Sequence, residues 1–211
     1  MFFVFKRGID IILSSIGLII LSPVFLIIII AIKLDSKGPV FFKQKRVGIN
    51  KSHFNILKFR TMRIDTPKDK PTHLLADADQ YITKVGSFLR KTSLDELPQI
   101  WNILVGEMSI IGPRPALWNQ YDLVAERDLY GANDVPPGLT GLAQISGRDE
   151  LSIEVKAKLD GEYVENINGW MDTKCFLGTI ISVTKRDGVL EGGIGTTARE
   201  EIACSKENEV K

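Results

Sequence analysis

A long apolar segment near the N-terminus constrains this chain more than any other feature. Residues 11–32 are apolar throughout except for Ser14, Ser15 and Ser22. About twenty such residues are enough to cross the hydrocarbon core of a bilayer as a helix. The run is longer than the core of a signal peptide, and no small-x-small cleavage site follows it. The segment therefore predicts a helix that stays in the membrane.

The sequence of this segment leaves two topologies open, a kinked spanning helix and a re-entrant hairpin. Pro23 lies in the middle, where it removes one backbone hydrogen bond, and the hydroxyl of Ser22 can satisfy the carbonyl left free. Lys6 and Arg7 precede the segment, and a basic cluster follows it. Because positive residues stay on the cytoplasmic side, basic residues at both ends fit a hairpin. By themselves they give no orientation for a crossing.

Charge and cysteine content limit the kinds of binding partner and the cellular compartment expected for this chain. The net charge is +1, so the whole surface gives no case for binding nucleic acid. The basic residues between 33 and 63 are accompanied only by Asp35, which favours anionic headgroups or phosphates as neighbours. Cys175 and Cys204 are far apart and show no zinc spacing, so a reducing compartment is expected.

A β-hairpin is predicted directly after the membrane segment. Residues 40–47 and 54–60 alternate in polarity around a turn at 48–51. The period of two places Lys58 and Arg60 on one face. That face is either solvated or forms a cationic wall against a diphosphate.

The stretch RKTSLDELPQ, residues 90–99, contains two adjacent carboxylates, Asp95 and Glu96. Adjacent carboxylates repel unless a cation or metal is shared between them. One can act as a nucleophile while its neighbour holds Mg²⁺. The alternative is a capping box, with Ser93 as N-cap and Glu96 at N3 of a helix. Pro98 complicates a helix start at Ser93, and both interpretations stay open at this point.

Later segments add weaker signals for anion binding. Arg114 lies between two prolines that restrict its backbone, which suits bidentate phosphate binding or a rigid turn. Glycines in residues 136–148 can let backbone amides approach an anion, although no Walker or dinucleotide motif is present. Asp160 and Tyr163 share one face of a predicted helix. Helices are predicted over 81–91, 97–104, 116–130, 153–163 and 170–185.

Taken together, the chain resembles the bacterial sugar transferases called small monotopic phosphoglycosyl transferases. The resemblance runs from residue 5 to about 188. Its motifs are Ser22-Pro23, KFRTM at 58–62, RKTSLDELPQ at 90–99, GEMSIIGPRP at 106–115 and PGLTGLAQISGR at 137–148. So many motifs in one order favour a catalytic role for Asp95 and Glu96 over a helix cap.

The resemblance implies a mostly helical α+β fold. Residues 1–36 are expected to form a re-entrant helix-break-helix with its break at Ser22 and Pro23. Residues 37–188 are expected to form a cytoplasmic catalytic domain with a small β-hairpin and interfacial amphipathic helices, and residues 189–211 a loose tail. The expected location is the cytoplasmic face of the bacterial inner membrane.

The resemblance also implies a reaction. A UDP-sugar gives its sugar-1-phosphate to polyprenyl (undecaprenyl) phosphate and releases UMP, the first step in assembling a capsule, O-antigen or glycoprotein glycan. Asp95 is the expected nucleophile, which forms a covalent phosphosugar intermediate, and Glu96 the expected Mg²⁺ ligand. The expected substrate-binding residues are Lys58, Arg60, Arg90, Arg114, Gln144, Arg148, Asp160 and Asp172.

The expected partners are the UDP-sugar, with a lean toward an N-acetylated or deoxy amino sugar, polyprenyl phosphate and membrane lipid, but no nucleic acid. A homo-oligomer is left open. Two alternatives remain. One is a non-catalytic membrane-anchored scaffold that binds anionic lipid, and the other is an enzyme of the same chemistry with a single membrane span.

Overall fold

Helices dominate the fold, as expected for this mostly helical α+β chain. The computed structural model describes residues 2–66, 78–147 and 151–185. The helices are α1 (Phe2–Asp35), α2 (Lys84–Lys91), α3 (Gln99–Val105), α4 (Tyr121–Asp128), α5 (Leu142–Ile145), α6 (Ile153–Glu165) and α7 (Gly169–Lys185). The strands are β1 (Phe41–Val47), β2 (His53–Phe59), β3 (Ser109–Ile111) and β4 (Gly138–Thr140). The tail expected over 189–211 lies outside the described residues.

The N-terminal segment forms a single helix that continues through Pro23. Proline has no N–H to donate to the carbonyl of Ile19, four residues earlier. The hydroxyl of Ser22 donates to that carbonyl instead, at 2.8 Å, so the free acceptor is satisfied as the sequence predicted. The helix break expected here is not confirmed. Among the described residues, α1 is the one helix long and apolar enough to cross a membrane.

The first turns of α1 are bound to the rest of the chain by charged side chains. Lys6 forms an ion pair of 2.6 Å with Asp172 on α7. The carboxylate of Asp10 accepts a hydrogen bond of 3.0 Å from the backbone N–H of Ile110 in β3. Arg7 donates to two carbonyls in the last turn of α3. The N-terminal end of the apolar helix is therefore attached to the same body as its C-terminal end.

That C-terminal end is attached by both apolar and polar contacts. Ile28 and Ile32 are buried in a cluster with Phe59 of β2. The carboxylate of Asp35 accepts a hydrogen bond of 3.0 Å from the backbone N–H of Val85 at the start of α2. The middle of α1 is bare by comparison, since Ile19 is 73% exposed. A helix with bound ends and an exposed apolar middle leaves that middle for lipid.

The predicted β-hairpin is confirmed. Strands β1 and β2 pair antiparallel from Phe41 opposite Phe59 to Val47 opposite His53. The turn between them contains Asn50 at a φ of 51°, a left-handed conformation that asparagine tolerates. β2 carries Lys58 toward the interior of the fold.

The glycines of residues 136–148 serve close backbone packing. A Cβ on Gly138 would lie 2.1 Å from the backbone N of Gly112, and one on Gly141 would lie 2.2 Å from the carbonyl oxygen of Gly112. Strands β3 and β4 are parallel here. The amide of Gly138 donates to the carbonyl of Pro113 at 2.8 Å. That amide is therefore not available to an anion, contrary to the interpretation from sequence.

The helix predicted over 116–130 is shorter than expected, since α4 begins at Tyr121. The preceding residues pair with β1 instead. The backbone N–H of Val47 donates to the carbonyl of Ala116 at 2.9 Å, and Arg46 forms a β-bridge with Leu117. Tertiary pairing thus overrides the local helical pattern.

Candidate active site

Asp95 and Glu96 lie in a one-turn 3₁₀ helix that runs from Leu94 to Glu96. Ser93 precedes it with φ 55° and ψ 16°, and its side chain makes no capping hydrogen bond. A helix N-cap residue takes an extended backbone, so the capping-box interpretation is wrong. Helix α3 starts later, at Gln99. The two carboxylates therefore sit in a tight turn between α2 and α3.

Glu96 is the centre of a charge cluster built from three separate segments. Its Oε1 accepts a hydrogen bond of 2.7 Å from Lys58 Nζ on β2. The same oxygen accepts one of 2.8 Å from Arg114 Nη2 in the Pro-Arg-Pro segment after β3. The Glu96 side chain is 19% exposed and that of Arg114 40%. The cluster is thus partly open to solvent and accessible to a ligand.

Glu96 is held in its ionised form. Burial raises the pKa of Glu96, but the charges and hydrogen bonds of Arg114 and Lys58 together outweigh it, and the pKa lies well below its usual value. A carboxylate with two donors on one oxygen is a fixed negative anchor. It sets the positions of both cations.

Asp95 shows the opposite behaviour. Burial raises the pKa of Asp95 above its usual value, and the negative charge of Glu96 adds to the rise. The positive charges of Lys58, Arg90 and Arg114 oppose it without cancelling it. An ionised carboxylate with a raised pKa is more basic, and so a better nucleophile, than an ordinary aspartate.

Arg90 and Arg114 are positioned by hydrogen bonds and by the conformation of the backbone around them. Arg90 lies in the last turn of α2, and its Nε donates to Thr61 Oγ1 at 3.0 Å. Arg114 is flanked by prolines, and the carbonyl of Pro115 accepts a hydrogen bond of 3.0 Å from Arg46 Nη1. The structure therefore brings together five of the residues expected at the site: Lys58, Arg90, Asp95, Glu96 and Arg114.

Arg60 does not join this cluster, although period-two alternation places it on the same face as Lys58. β2 ends at Phe59, and the Arg60 guanidinium turns to the end of α1. It donates to the carbonyls of Ser36 at 2.8 Å and Lys37 at 3.0 Å. Arg60 therefore caps the chain that leaves α1, and its expected role in phosphate binding stays a prediction.

Asp160 is buried in a structural ion pair. It is 0% exposed, and its Oδ2 accepts a hydrogen bond of 2.8 Å from Arg127 Nε. This pair joins α6 to α4 and makes no contact with the carboxylate cluster. Sequence reasoning missed Arg127, because nothing in the local pattern distinguishes it from the other charged residues of α4. The structure gives Asp160 a structural contact, and its expected substrate-binding role stays a prediction.

Asp172 is likewise placed away from the cluster. Besides its ion pair with Lys6, it accepts a hydrogen bond of 2.8 Å from the hydroxyl of Tyr163. Burial and the charge of Asp172 raise the pKa of Tyr163 far above its usual value. Asp172 therefore binds α7 to α6 and α1, and its expected role in substrate binding stays a prediction.

The last two expected residues come from the glycine-containing segment. Gln144 is 4% exposed, and within the described ranges neither atom of its side-chain amide has a hydrogen-bond partner. Buried amides are normally satisfied, so Gln144 has capacity for a ligand or water. Arg148 lies outside the described residues.

The donor set fits the magnesium ion that the resemblance implies. The described residues contain no group of three or more acidic, histidine or cysteine side chains that could enclose a metal. Mg²⁺ is usually held by one or two carboxylates together with substrate phosphates and waters. Asp95 and Glu96 supply two carboxylates, but three cations surround them. A divalent ion is therefore favoured only when a diphosphate adds negative charge.

Comparisons with known proteins identify the family of this chain. The family model described as "Bacterial sugar transferase" matches residues 1–186. The UDP-glucose:undecaprenyl-phosphate glucose-1-phosphate transferase of Klebsiella pneumoniae is 42% identical over 185 residues, which cover 84% of this chain and 39% of that protein. An uncharacterized sugar transferase of Haemophilus influenzae is 38% identical over 199 residues, 88% of this chain and 42% of that protein. The chain thus spans about two fifths of the length of these two relatives.

A relative of similar length also matches. The exopolysaccharide production protein ExoY of Rhizobium meliloti is 38% identical over 192 residues, which cover 84% of each chain. The family-model match over residues 1–186 includes every segment that contributes to the carboxylate cluster. This chain belongs to the bacterial sugar transferase family.

Proposed function

We propose that this chain transfers a sugar-1-phosphate from a UDP-sugar to undecaprenyl phosphate and releases UMP. The observation that carries the proposal is the pair Asp95 and Glu96 surrounded by Lys58, Arg90 and Arg114. A nucleophile beside a fixed anion and several cations suits phosphoryl transfer between two polyanions. The names of the relatives from Klebsiella pneumoniae and Escherichia coli, which state this reaction with glucose, support it.

The reaction proceeds in two displacements. In the first, a carboxylate oxygen of Asp95 attacks the phosphorus that bears the sugar. The bond from that phosphorus to the bridging oxygen breaks, and UMP leaves with the electron pair. In the second, an oxygen of undecaprenyl phosphate attacks the same phosphorus, and the Asp95 carboxylate leaves. The products are undecaprenyl-diphosphate-sugar and free enzyme.

The cations of the site have distinct tasks in these steps. Lys58 and Arg114 are already oriented by Glu96, so little rearrangement is needed when the diphosphate arrives. The positive charge of Arg90 lowers the pKa of Asp95 and so favours the ionised carboxylate that attacks. Glu96, with Asp95, would hold Mg²⁺, which would neutralise charge on the diphosphate. Gln144 has free hydrogen-bonding capacity for the donor, and Arg148 remains a predicted phosphate ligand.

The contacts of α1 support a re-entrant position in the membrane. Lys6 and Asp10 at one end and Asp35 at the other bind the same body. A folded body in water lies on one side of a bilayer, so both ends of α1 lie there as well, on the cytoplasmic side that favours positive residues. For the exposed middle around Ile19 to enter the lipid without crossing it, we expect α1 to bend at Pro23 in the membrane.

The site lies next to this membrane helix. Leu94 and Leu97, which flank the two carboxylates, pack against the cluster that contains Ile28 and Ile32 of α1. The phosphate of a membrane-bound polyprenyl chain lies at the headgroup level. The location of Asp95 beside α1 therefore suits attack by that phosphate.

The test is UMP release from a panel of UDP-sugars in the presence of undecaprenyl phosphate and Mg²⁺. The panel includes UDP-glucose, after the relatives from Klebsiella pneumoniae and Escherichia coli, and UDP-linked N-acetylated and deoxy amino sugars, after the expectation from sequence. Lipid-dependent UMP release that is lost in Asp95→Asn supports the proposal. Undiminished release in that variant removes Asp95 as nucleophile. If wild type releases no UMP from any donor and captures no phosphosugar on Asp95, the scaffold alternative replaces the enzyme.

A further inference from the structure

Asn102 fills the free edge of β2 with its side chain. It lies on α3 and is 1% exposed. Its Oδ1 accepts a hydrogen bond of 3.0 Å from the backbone N–H of Leu57, and its Nδ2 donates to the carbonyl of Asn55 at 2.9 Å. These two backbone groups face away from β1 and would pair with a third strand in a larger sheet. The amide of Asn102 takes the place of that strand.

Glu107 determines which way this amide points. Nδ2 of Asn102 also donates to Glu107 Oε2 at 2.6 Å. Because a carboxylate can only accept, it selects the orientation with nitrogen toward Glu107 and Asn55. Glu107 follows Gly106, which ends α3 at a φ of 96°. The proposed reaction does not use Gly106 and Glu107 of the GEMSIIGPRP stretch directly. Their role is to end α3 and to orient the amide of Asn102.

The contact links the two elements that carry the Lys58–Glu96 pair. Lys58 follows Leu57 directly on β2. Glu96 lies in the turn that leads into α3, the helix of Asn102. The distance of 2.7 Å between Lys58 Nζ and Glu96 Oε1 thus depends on how β2 and α3 are joined. The amide of Asn102 joins the two elements close to both residues: it bonds to Leu57, next to Lys58, and it lies less than two helical turns after Glu96.

We propose that Asn102, oriented by Glu107, is the positioning residue that holds Lys58 against Glu96 for the transfer reaction. The catalytic part of this inference rests on the proposed function. The positional part does not, since the protection of the Lys58 amine is measurable without turnover. Because Asn102 is buried, we expect it to act through Lys58 and not by contact with substrate.

The first experiment measures the reactivity of the Lys58 amine by limited reductive methylation and mass spectrometry, with exposed Lys43 as the internal reference. Asn102→Asp keeps the size of the side chain, loses the donor to Asn55 and places a carboxylate against Glu107. We expect Lys58 to be methylated at least about fivefold faster in this variant, because a lost buried hydrogen bond releases the strand. Unchanged protection of Lys58 would overturn the proposal.

Asn133 offers a matched control. It is 5% exposed, and its Nδ2 donates to the Val124 carbonyl at 2.8 Å and to Asp128 Oδ1 at 2.7 Å. Asn133→Asp creates the same clash with a carboxylate five residues away in sequence, but at α4. We expect it to leave Lys58 protected. Equal deprotection of Lys58 in both variants would show general loosening and would refute a specific role of Asn102.

The second experiment uses turnover and a double-mutant cycle. We expect Asn102→Asp to lower kcat/KM about tenfold or more, and to have no further effect in a Lys58→Met background. Independent, multiplicative losses would contradict action through Lys58. Glu107→Gln added to Asn102→Asp removes the repulsion and is expected to restore part of both protection and turnover. No recovery would count against Glu107 as the orienting group.

A smaller substitution guards against misfolding. If Asn102→Asp does not fold, Asn102→Ser removes both hydrogen bonds to β2 without adding charge, and the same two measurements apply to it. If wild type shows no UMP release from any donor, the proposed function fails, whereas the methylation result still decides the position of Lys58.

Discussion

Lys58 and Arg114 donate to one and the same oxygen of Glu96, at 2.7 and 2.8 Å, from segments on opposite sides of Glu96 in the chain. A single carboxylate oxygen therefore sets the separation of two cations. In the proposed reaction a diphosphate needs cations at a fixed spacing, so Glu96 would act before the substrate binds. Its place next to Asp95 would couple this preorganisation to the proposed nucleophile.

Replacing Glu96 by glutamine tests this preorganisation. Glu96→Gln keeps the shape but loses the charge that attracts both cations and a metal ion. We expect kcat/KM for UMP release to fall about 100-fold or more, as for other preorganised electrostatic groups. Glu162→Gln, at an exposed position of α6, is the control with the same chemical change. A Glu96→Gln enzyme within a factor of two of wild type would refute the role assigned to Glu96.

Asp95→Asn is expected to raise stability while it removes turnover. Because the pKa of Asp95 is higher in the folded chain than in the unfolded chain, the folded state loses stability as Asp95 ionises. Above the raised pKa this penalty is complete, and asparagine removes it. We expect the thermal midpoint in detergent to rise by roughly 3 °C.

The pH dependence of that gain provides its own control. The difference between the two proteins is expected to shrink as the pH falls through the raised pKa of Asp95 and to vanish below about 4, where the unfolded carboxyl is also protonated. A difference that is constant from pH 7 to 4 would assign the gain to something other than ionisation.

Asp160→Asn is expected to destabilise the protein without weakening donor binding. The change leaves Arg127 buried and without its carboxylate, at a cost of about 3–5 kcal/mol. The combination Arg127→Met with Asp160→Leu removes both charges and is expected to recover most of the loss. The measurements are denaturant unfolding and KM for the UDP-sugar. A raised KM with unchanged stability would instead support Asp160 as a substrate-binding residue.

The ion pair of Lys6 with Asp172 predicts where the N-terminus lies. In a Cys175→Ala, Cys204→Ala background, a cysteine introduced by Phe3→Cys reports its side of the membrane to an impermeant maleimide. We expect no labelling from outside intact cells with otherwise native sequence. Labelling is expected to increase both in Lys6→Met and in Asp172→Asn, because each breaks the pair.

These two variants distinguish an effect of the ion pair between Lys6 and Asp172 from an effect of the charge of Lys6 alone. Asp172→Asn keeps the positive charge of Lys6, so the preference of positive residues for the cytoplasmic side is unchanged. An increase in Lys6→Met alone would show that charge, and not the contact with α7, decides the position of the N-terminus.

Local sequence patterns predicted helices and strands well, but they predicted poorly which side chains from distant elements contact each other. The alternation over 40–60 was enough for the β-hairpin, because its strands are neighbours in sequence and their turn is short. The i, i+3 relation of Asp160 and Tyr163 correctly predicted a shared face, and both are buried on it. Their partners, Arg127 and Asp172, could not be found in this way, since they come from other helices.

The candidate site shows the same division. Asp95, Glu96, Lys58 and Arg114 were expected from the resemblance, but no rule of spacing predicts that two cations share one oxygen of Glu96. Arg60 was misplaced because the strand ends one residue before it, so that its side chain follows a new backbone direction. Asn102 had one visible signal, a polar residue inside the apolar run of α3, although its partner strand lies 45 residues earlier.

The pair formed by Lys6 and Asp172 spans 166 residues of sequence. It cannot form until the ribosome has synthesised the chain at least as far as α7. Among the described helices, α1 is synthesised before the others, yet its N-terminal contacts with α7 can form only after α7 has been made. During synthesis the apolar surface of α1 is present before the residues that bind both of its ends. The final position of α1 is therefore set only after the rest of the domain has folded.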